Sequence, residues 1–89
     1  MEKLTVKDLR RAIRYVNQGN EGAKNVQDIS DEEFLKCTFG KDLRMGNIRV
    51  AGVIIELDRI HGIELSTKDV RIGATDTVGY FLDAVNKHL

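Results

Sequence analysis

The chain has 89 residues, 42% of them apolar and 31% charged, and Lys+Arg balance Asp+Glu at 14 each. That length supports one domain on one modest core, and a net charge of zero gives no global attraction to nucleic acid or an anionic membrane. The only cysteine, Cys37, excludes an internal disulfide.

A reduced lone thiol fits a cytoplasmic protein. The opening Met-Glu-Lys-Leu-Thr lacks the apolar core of a signal peptide, and the longest apolar run, Val53-Ile54-Ile55, is too short to span a membrane. No proline is present, so eight glycines do the punctuation.

Leu4, Val6, Leu9, Ala12, Ile13 and Val16 recur at mostly three- and four-residue spacings, which predicts an amphipathic first helix over 5–17. Thr5 suits its cap, and the Asn17–Gly22 stretch ends it. Residues 18–46 form a long connection, unusual in a small domain unless it packs by its own side chains. Ile29, Phe34, Leu35, Phe39 and Leu43 can supply that packing. Within it, Ser30-x-x-Glu33 reads as a capping box that opens a short helical turn over 30–37.

The next helix is expected over 47–61, with Asn47 as its N-cap. Its inner stripe is Val50, Val53, Ile54, Leu57 and Ile60, and Ile48, Ala51 and Ile55 extend the apolar surface beyond that stripe. Gly62 stops it. Ser66 then caps a short helical turn over 67–72, closed by Gly73. A last helix starts near Asp76, with Val78, Phe81, Leu82, Val85 and Leu89 inward and Lys87 and His88 at its carboxyl end. No period-two alternation appears, so the fold class is all-α.

The stretch Phe39-Gly40-Lys41-Asp42-Leu43-Arg44-Met45-Gly46-Asn47-Ile48 resembles the acyl carrier protein motif Phe-x-x-Asp-Leu-Gly-x-Asp-Ser-Leu. Phe39, Asp42 and Leu43 match, and Ile48 replaces leucine. Asn47 to Gly62 repeats the family's fifteen-residue distance from modified serine to terminal glycine. Gly62-Ile63-Glu64-Leu65 resembles the family's exit from that helix. Thr77-Val78-Gly79-Tyr80-Phe81-Leu82-Asp83-Ala84-Val85 is similar to the start of its last helix. The resemblance implies an acyl-carrier-like four-helix bundle with a long first loop: three longer helices and one short.

Two departures bear on function. The family's serine accepts 4′-phosphopantetheine through a hydroxyl that attacks phosphorus. Asn47, flanked by Gly46 and Ile48, offers no such oxygen, and the preceding acid is Gly46. Ser30, Ser66 and Thr38 are all remote from the helix start. The second departure is charge. The family's helix after the serine is usually acidic and docks on basic partners. Here its approach and first turn carry Lys41, Arg44 and Arg49, a charge that opposes such docking.

No catalytic constellation and no metal-ligand spacing appears, so neither an enzyme nor a metal site is expected. Cys37, between Phe34 and Phe39, reads as a small buried apolar group. His61 and His88 suit helix carboxyl ends. Lys7, Arg10, Arg11 and Arg14 read as a solvated face of the first helix.

The leading expectation is a carrier-like interaction module that binds no cofactor. It contacts protein partners, acyl-chain synthesis enzymes among them, through Arg44, Met45, Asn47, Ile48 and Arg49, and is itself a monomer. The first alternative is a working acyl carrier of fatty-acid or polyketide-type synthesis, bearing 4′-phosphopantetheine elsewhere or changed at position 47. The second is a nucleic-acid-binding module using the first helix, against which the charge balance stands.

Overall fold

The computed structural model of the chain describes residues 3–66 and 68–89. It contains α1 (Val6–Val16), α2 (Asp31–Lys36), α3 (Asn47–His61) and α4 (Val78–His88). Among the described residues no strand forms. One antiparallel bridge, Thr38 with Thr77, joins the approach to α3 with the start of α4. The all-α expectation therefore holds.

α1 begins where Thr5 adopts extended backbone and its hydroxyl accepts the Asp8 N–H at 3.2 Å. Leu9, Ala12 and Ile13 bury its inner face. The chain turns away through Gly19 and Gly22, both left-handed. α2 starts at Ser30, whose hydroxyl accepts the Glu33 N–H at 3.1 Å. The return half of the expected box does not form, because the Glu33 carboxylate lies 3.8 Å from Lys24 instead. Thr77 caps α4 by accepting the Tyr80 N–H at 3.1 Å. The helix starts two residues after the expected Asp76, because Asp76 is engaged with the Gly73 N–H at 2.7 Å.

α1 packs on α3, and α2 on α4. Glycines permit both approaches. A Cβ on Gly52 would lie 3.3 Å from Val16, and one on Gly79 would lie 3.1 Å from the Leu35 carbonyl oxygen. Phe34, Phe39 and Phe81 are fully buried with Leu9, Ile13, Leu43, Leu57 and Val53. Phe39 and Phe81 meet edge to face, with centroids 5.6 Å apart, a favoured aromatic geometry.

The long connection is ordered by side chains that bind its backbone. The Arg10 guanidinium lies 4.7 Å from the Phe34 ring centre. It donates to the Val26 carbonyl, to the Ile29 carbonyl at 2.9 Å and to Asp31. Asn17 donates to the Leu43 carbonyl at 2.9 Å and Asn20 to the Arg44 carbonyl at 2.9 Å. Each bond satisfies a loop carbonyl that no ladder serves.

Three expectations change. The short helix preceding the last helix is absent: among the described residues the segment makes only a turn at Lys68–Asp69. There the Asp69 carboxylate takes the Ser66 N–H at 2.9 Å, a capping bond, but only the Asp69 and Val70 N–H groups bond the Ser66 carbonyl and no further helical turn follows. Thr67 lies outside the described residues. The short helix of the bundle is instead α2. Ile60 is 44% exposed, because it sits at the edge of the stripe in the last turn before the Gly62 stop. Leu89 is 37% exposed at the chain end.

Two predictions follow from the approach to α3. Ala substitution at Gly40 would place a Cβ 2.6 Å from the Ala74 Cβ and 2.9 Å from its carbonyl oxygen. We expect a loss of about 1–3 kcal/mol in urea unfolding. The Asp42 carboxylate accepts the Thr38 N–H at 2.9 Å and its hydroxyl at 3.2 Å, and the first of these bonds chiefly lowers its pKa below 3.8. Its stabilising effect is present above that pH and is lost as pH falls through the lower folded value. Acid titration of Asp42→Asn should therefore show a shallower stability loss below about pH 4 than the parent chain.

Candidate functional site

The amino end of α3 is held by the turn before it. Met45 donates its N–H to the Phe39 carbonyl at 2.7 Å, and Leu43 to Thr38 at 3.1 Å. Arg44 sits between them in the left-handed region at φ 49, a conformation that costs a non-glycine residue energy. Its Nε donates to the Gly22 carbonyl at 3.2 Å, and its own carbonyl receives Asn20. These bonds hold the strained turn in place and fix where α3 starts.

Gly46, not Asn47, is the N-cap. Its backbone is extended at φ −82, ψ −177, and its carbonyl accepts the Val50 N–H at 3.0 Å. Asn47 is the first helical residue, from which an amide cannot serve the next N–H groups as a cap side chain does. No side-chain cap bond forms at this end of α3.

The residues expected to meet a partner separate into three groups. Asn47 and Ile48 are exposed, Ile48 at 88%. The Arg44 and Arg49 cations are tethered: Arg49 donates to the Val16 carbonyl at 2.9 Å and so closes the carboxyl end of α1. Met45 is buried at 4% and drops out of the surface, because its backbone bond to Phe39 draws it into the core. The exposed set is thus Arg44, Asn47, Ile48 and the rim of Arg49.

One feature escaped the sequence reading. A cleft of about 340 Å³ opens between α3 and the chain after it, lined by Asn47, Val50, Ala51, Ile54, Val70, Arg71 and Ile72. The Val70-x-Ile72 spacing was its only signal. Ile55, expected to extend the apolar surface beyond the inner stripe, is 68% exposed on α3. Counting it at 100° per residue from Ile48 places the two on one line, opposite the buried stripe.

The remaining candidates are structural. Cys37 is buried, its Sγ 3.5 Å from the Glu33 carbonyl oxygen. Burial first, and then the nearby Asp42 carboxylate, pushes its thiol pKa up, which suppresses the reactive thiolate. The Ser30 hydroxyl caps α2, Thr38 bonds Asp42, and Ser66 accepts the Lys68 N–H at 3.2 Å. None of these hydroxyls stands at the start of α3. Arg10 belongs to the core edge, while Lys7, Arg11 and Arg14 remain exposed. Among the described residues no three His, Cys, Asp or Glu side chains gather for a metal, and no helix is long and apolar enough to cross a membrane.

Compared with known proteins, the chain matches no family model, no curated protein and no solved structure.

The position of the cap gives a test. Gly46→Ser supplies the missing acceptor and should raise unfolding stability by only about 0.3 kcal/mol. Asn47→Ala should change it by less than about 0.5 kcal/mol. A loss near 1 kcal/mol on Asn47→Ala would restore asparagine as the cap.

Proposed function

We propose that this chain is an acyl-carrier-like domain that carries no prosthetic group and acts by contact, through the amino end and outer face of α3. The observation that supports this most is the pairing at the helix start. An exposed amide, Asn47, stands where the family's attachment serine would be, beside an isoleucine that is 88% exposed. An amide cannot become a phosphodiester oxygen. An isoleucine so open on a small domain marks a contact surface when further apolar residues continue it, as Ile55 does. The cations Lys41, Arg44 and Arg49 around this end make it unsuited to the basic docking surfaces that acidic carriers use. In this reading the partners are proteins, with acyl-chain synthesis enzymes the first to examine. The chain itself is not an enzyme.

The reading is tested by incubation with coenzyme A and a promiscuous phosphopantetheinyl transferase, followed by intact mass. The parent chain should gain nothing. A variant carrying both Gly46→Asp and Asn47→Ser should gain one phosphopantetheine, because the acceptor hydroxyl then stands at an exposed helix start. An adduct on the parent chain would overturn the proposal and favour a working carrier.

A further inference from the structure

α3 is apolar on two opposite faces. Its inner face buries Val50, Val53, Ile54 and Leu57. Its outer face carries Ile48 and Ile55, 88% and 68% exposed. An apolar helix face is normally turned to the core, and here the fold covers the inner one only.

The outer face has a symmetry of its own. Ile48 and Ile55 stand two turns apart, about 10.5 Å along the axis. Midway between them lie Ala51 and Gly52, both half-buried. By size alone, Ile48-x-x-Ala51-Gly52-x-x-Ile55 runs large, small, small, large from either end. Such a face complements itself when two copies run antiparallel about a two-fold axis through its midpoint. Each Ile48 then lies beside Ile55 of the second copy, and no bulky side chain stands between them, because Gly52 faces Val16 of α1 on one flank and Ala51 lines the cleft on the other.

Charge favours the same occupant. Asp58 lies near the carboxyl end of α3, where a negative charge opposes the helix dipole. It enters no ion pair among the described residues. In the antiparallel arrangement it comes within a turn of the second copy's amino end at Gly46 and Asn47, which has no side-chain cap and attracts negative charge. Arg44 and Arg49 at that end are bonded to the neutral Gly22 and Val16 carbonyls and keep their charge, which also attracts Asp58, whereas Arg59 beside Asp58 is paired with Glu56.

We propose that the partner at this face is a second copy of the chain, forming an antiparallel α3–α3 dimer. The inference takes from the proposed function only the contact role of the outer face of α3, and it replaces the expected monomer. Two isoleucines and their small neighbours cover less than the roughly 800 Å² per partner of a stable interface. The dimer is therefore expected to be weak and transient.

Sedimentation equilibrium of the whole chain from roughly 1 to 500 µM reads this directly. A monomer–dimer equilibrium is expected. Ile48→Glu and Ile55→Glu should each weaken it about tenfold or more, with unchanged helical circular dichroism because both side chains are exposed. Tyr80→Glu, at an exposed position on α4, should leave it unaltered. Orientation is read by mixing Ile48→Cys with Ile55→Cys chains under mild oxidation. In an equal mixture the mixed disulfide should exceed each symmetric one by more than the roughly twofold excess that random pairing gives, since like positions are two turns apart in the dimer. The native Cys37 is buried and stays out of the exchange.

A monomer throughout, a dimer indifferent to both glutamates, or no excess of the mixed disulfide would overturn the inference. The transferase experiment fails or succeeds independently. A monomer that refuses phosphopantetheine removes only the dimer, and a dimer that accepts it removes only the proposed function.

Discussion

The approach of Gly40 to Ala74 is the contact on which the rest of the structure depends. Gly40 donates its N–H to the Ala74 carbonyl at 2.9 Å, Phe39 to Asp76 at 3.1 Å and Val78 to Cys37 at 2.9 Å. These bonds lay the segment before α3 alongside the segment before α4. Neither segment has regular structure of its own, so each supplies the partners the other's backbone lacks. Between them they carry Phe39 onto Phe81 and Cys37 into the core. A side chain at position 40 would open that seam, which is why a glycine stands there although its backbone is not left-handed.

From that seam the geometry of α3 follows in order. Phe39 fixes Met45, Met45 fixes the left-handed Arg44 and the extended Gly46, and Gly46 closes the first helical turn. On the far side, Asn17 and Asn20 tie the end of α1 to the same turn, and Arg49 returns the link to Val16. The amino end of α3 is thus bound to α1 and to the seam before it begins. Its exposed residues sit on a fixed platform, which favours a contact surface over a hinged one.

Much of the architecture was legible because it rests on local signals. Thr5, Ser30 and Thr77 each cap the helix that their position announces, although Thr77 rather than Asp76 begins the last one. Gly62 ends α3 at φ 66, as a left-handed stop requires. What was not legible depends on contacts distant in sequence. Met45 reads as a surface residue until Phe39 binds its backbone. Arg10 reads as one of four solvated cations until Phe34 and the Val26 and Ile29 carbonyls surround it. Ile55 extends an apolar surface in the sequence, but only the packing direction of α3 shows that it lies on the face opposite the core.

The correction at Asn47 bears most on function. As the cap of α3, asparagine would have had a structural reason to occupy this position, and its presence would have carried little information. With Gly46 as the cap and the turn held by Arg44 and Met45, the fold makes no visible demand on the side chain at position 47, which is exposed and enters no hydrogen bond among those formed here. A serine would fit the same backbone at no cost. The absence of a hydroxyl is therefore separable from the stability of the helix, and in the proposed reading it belongs with the exposed isoleucines beside it. A carrier needs its helix start open, so that an enzyme can reach the hydroxyl and its cargo can leave. A contact module gains instead from closing that end against a partner, because the helix start lacks a side-chain cap and the apolar face beside it is wet. Burial of Ile48 and Ile55 removes water from apolar surface, and a carboxylate brought to the amino end serves the open N–H groups. In the proposed reading, the side chain that bars carrying, Asn47, thus stands next to the apolar residues that would make contact favourable.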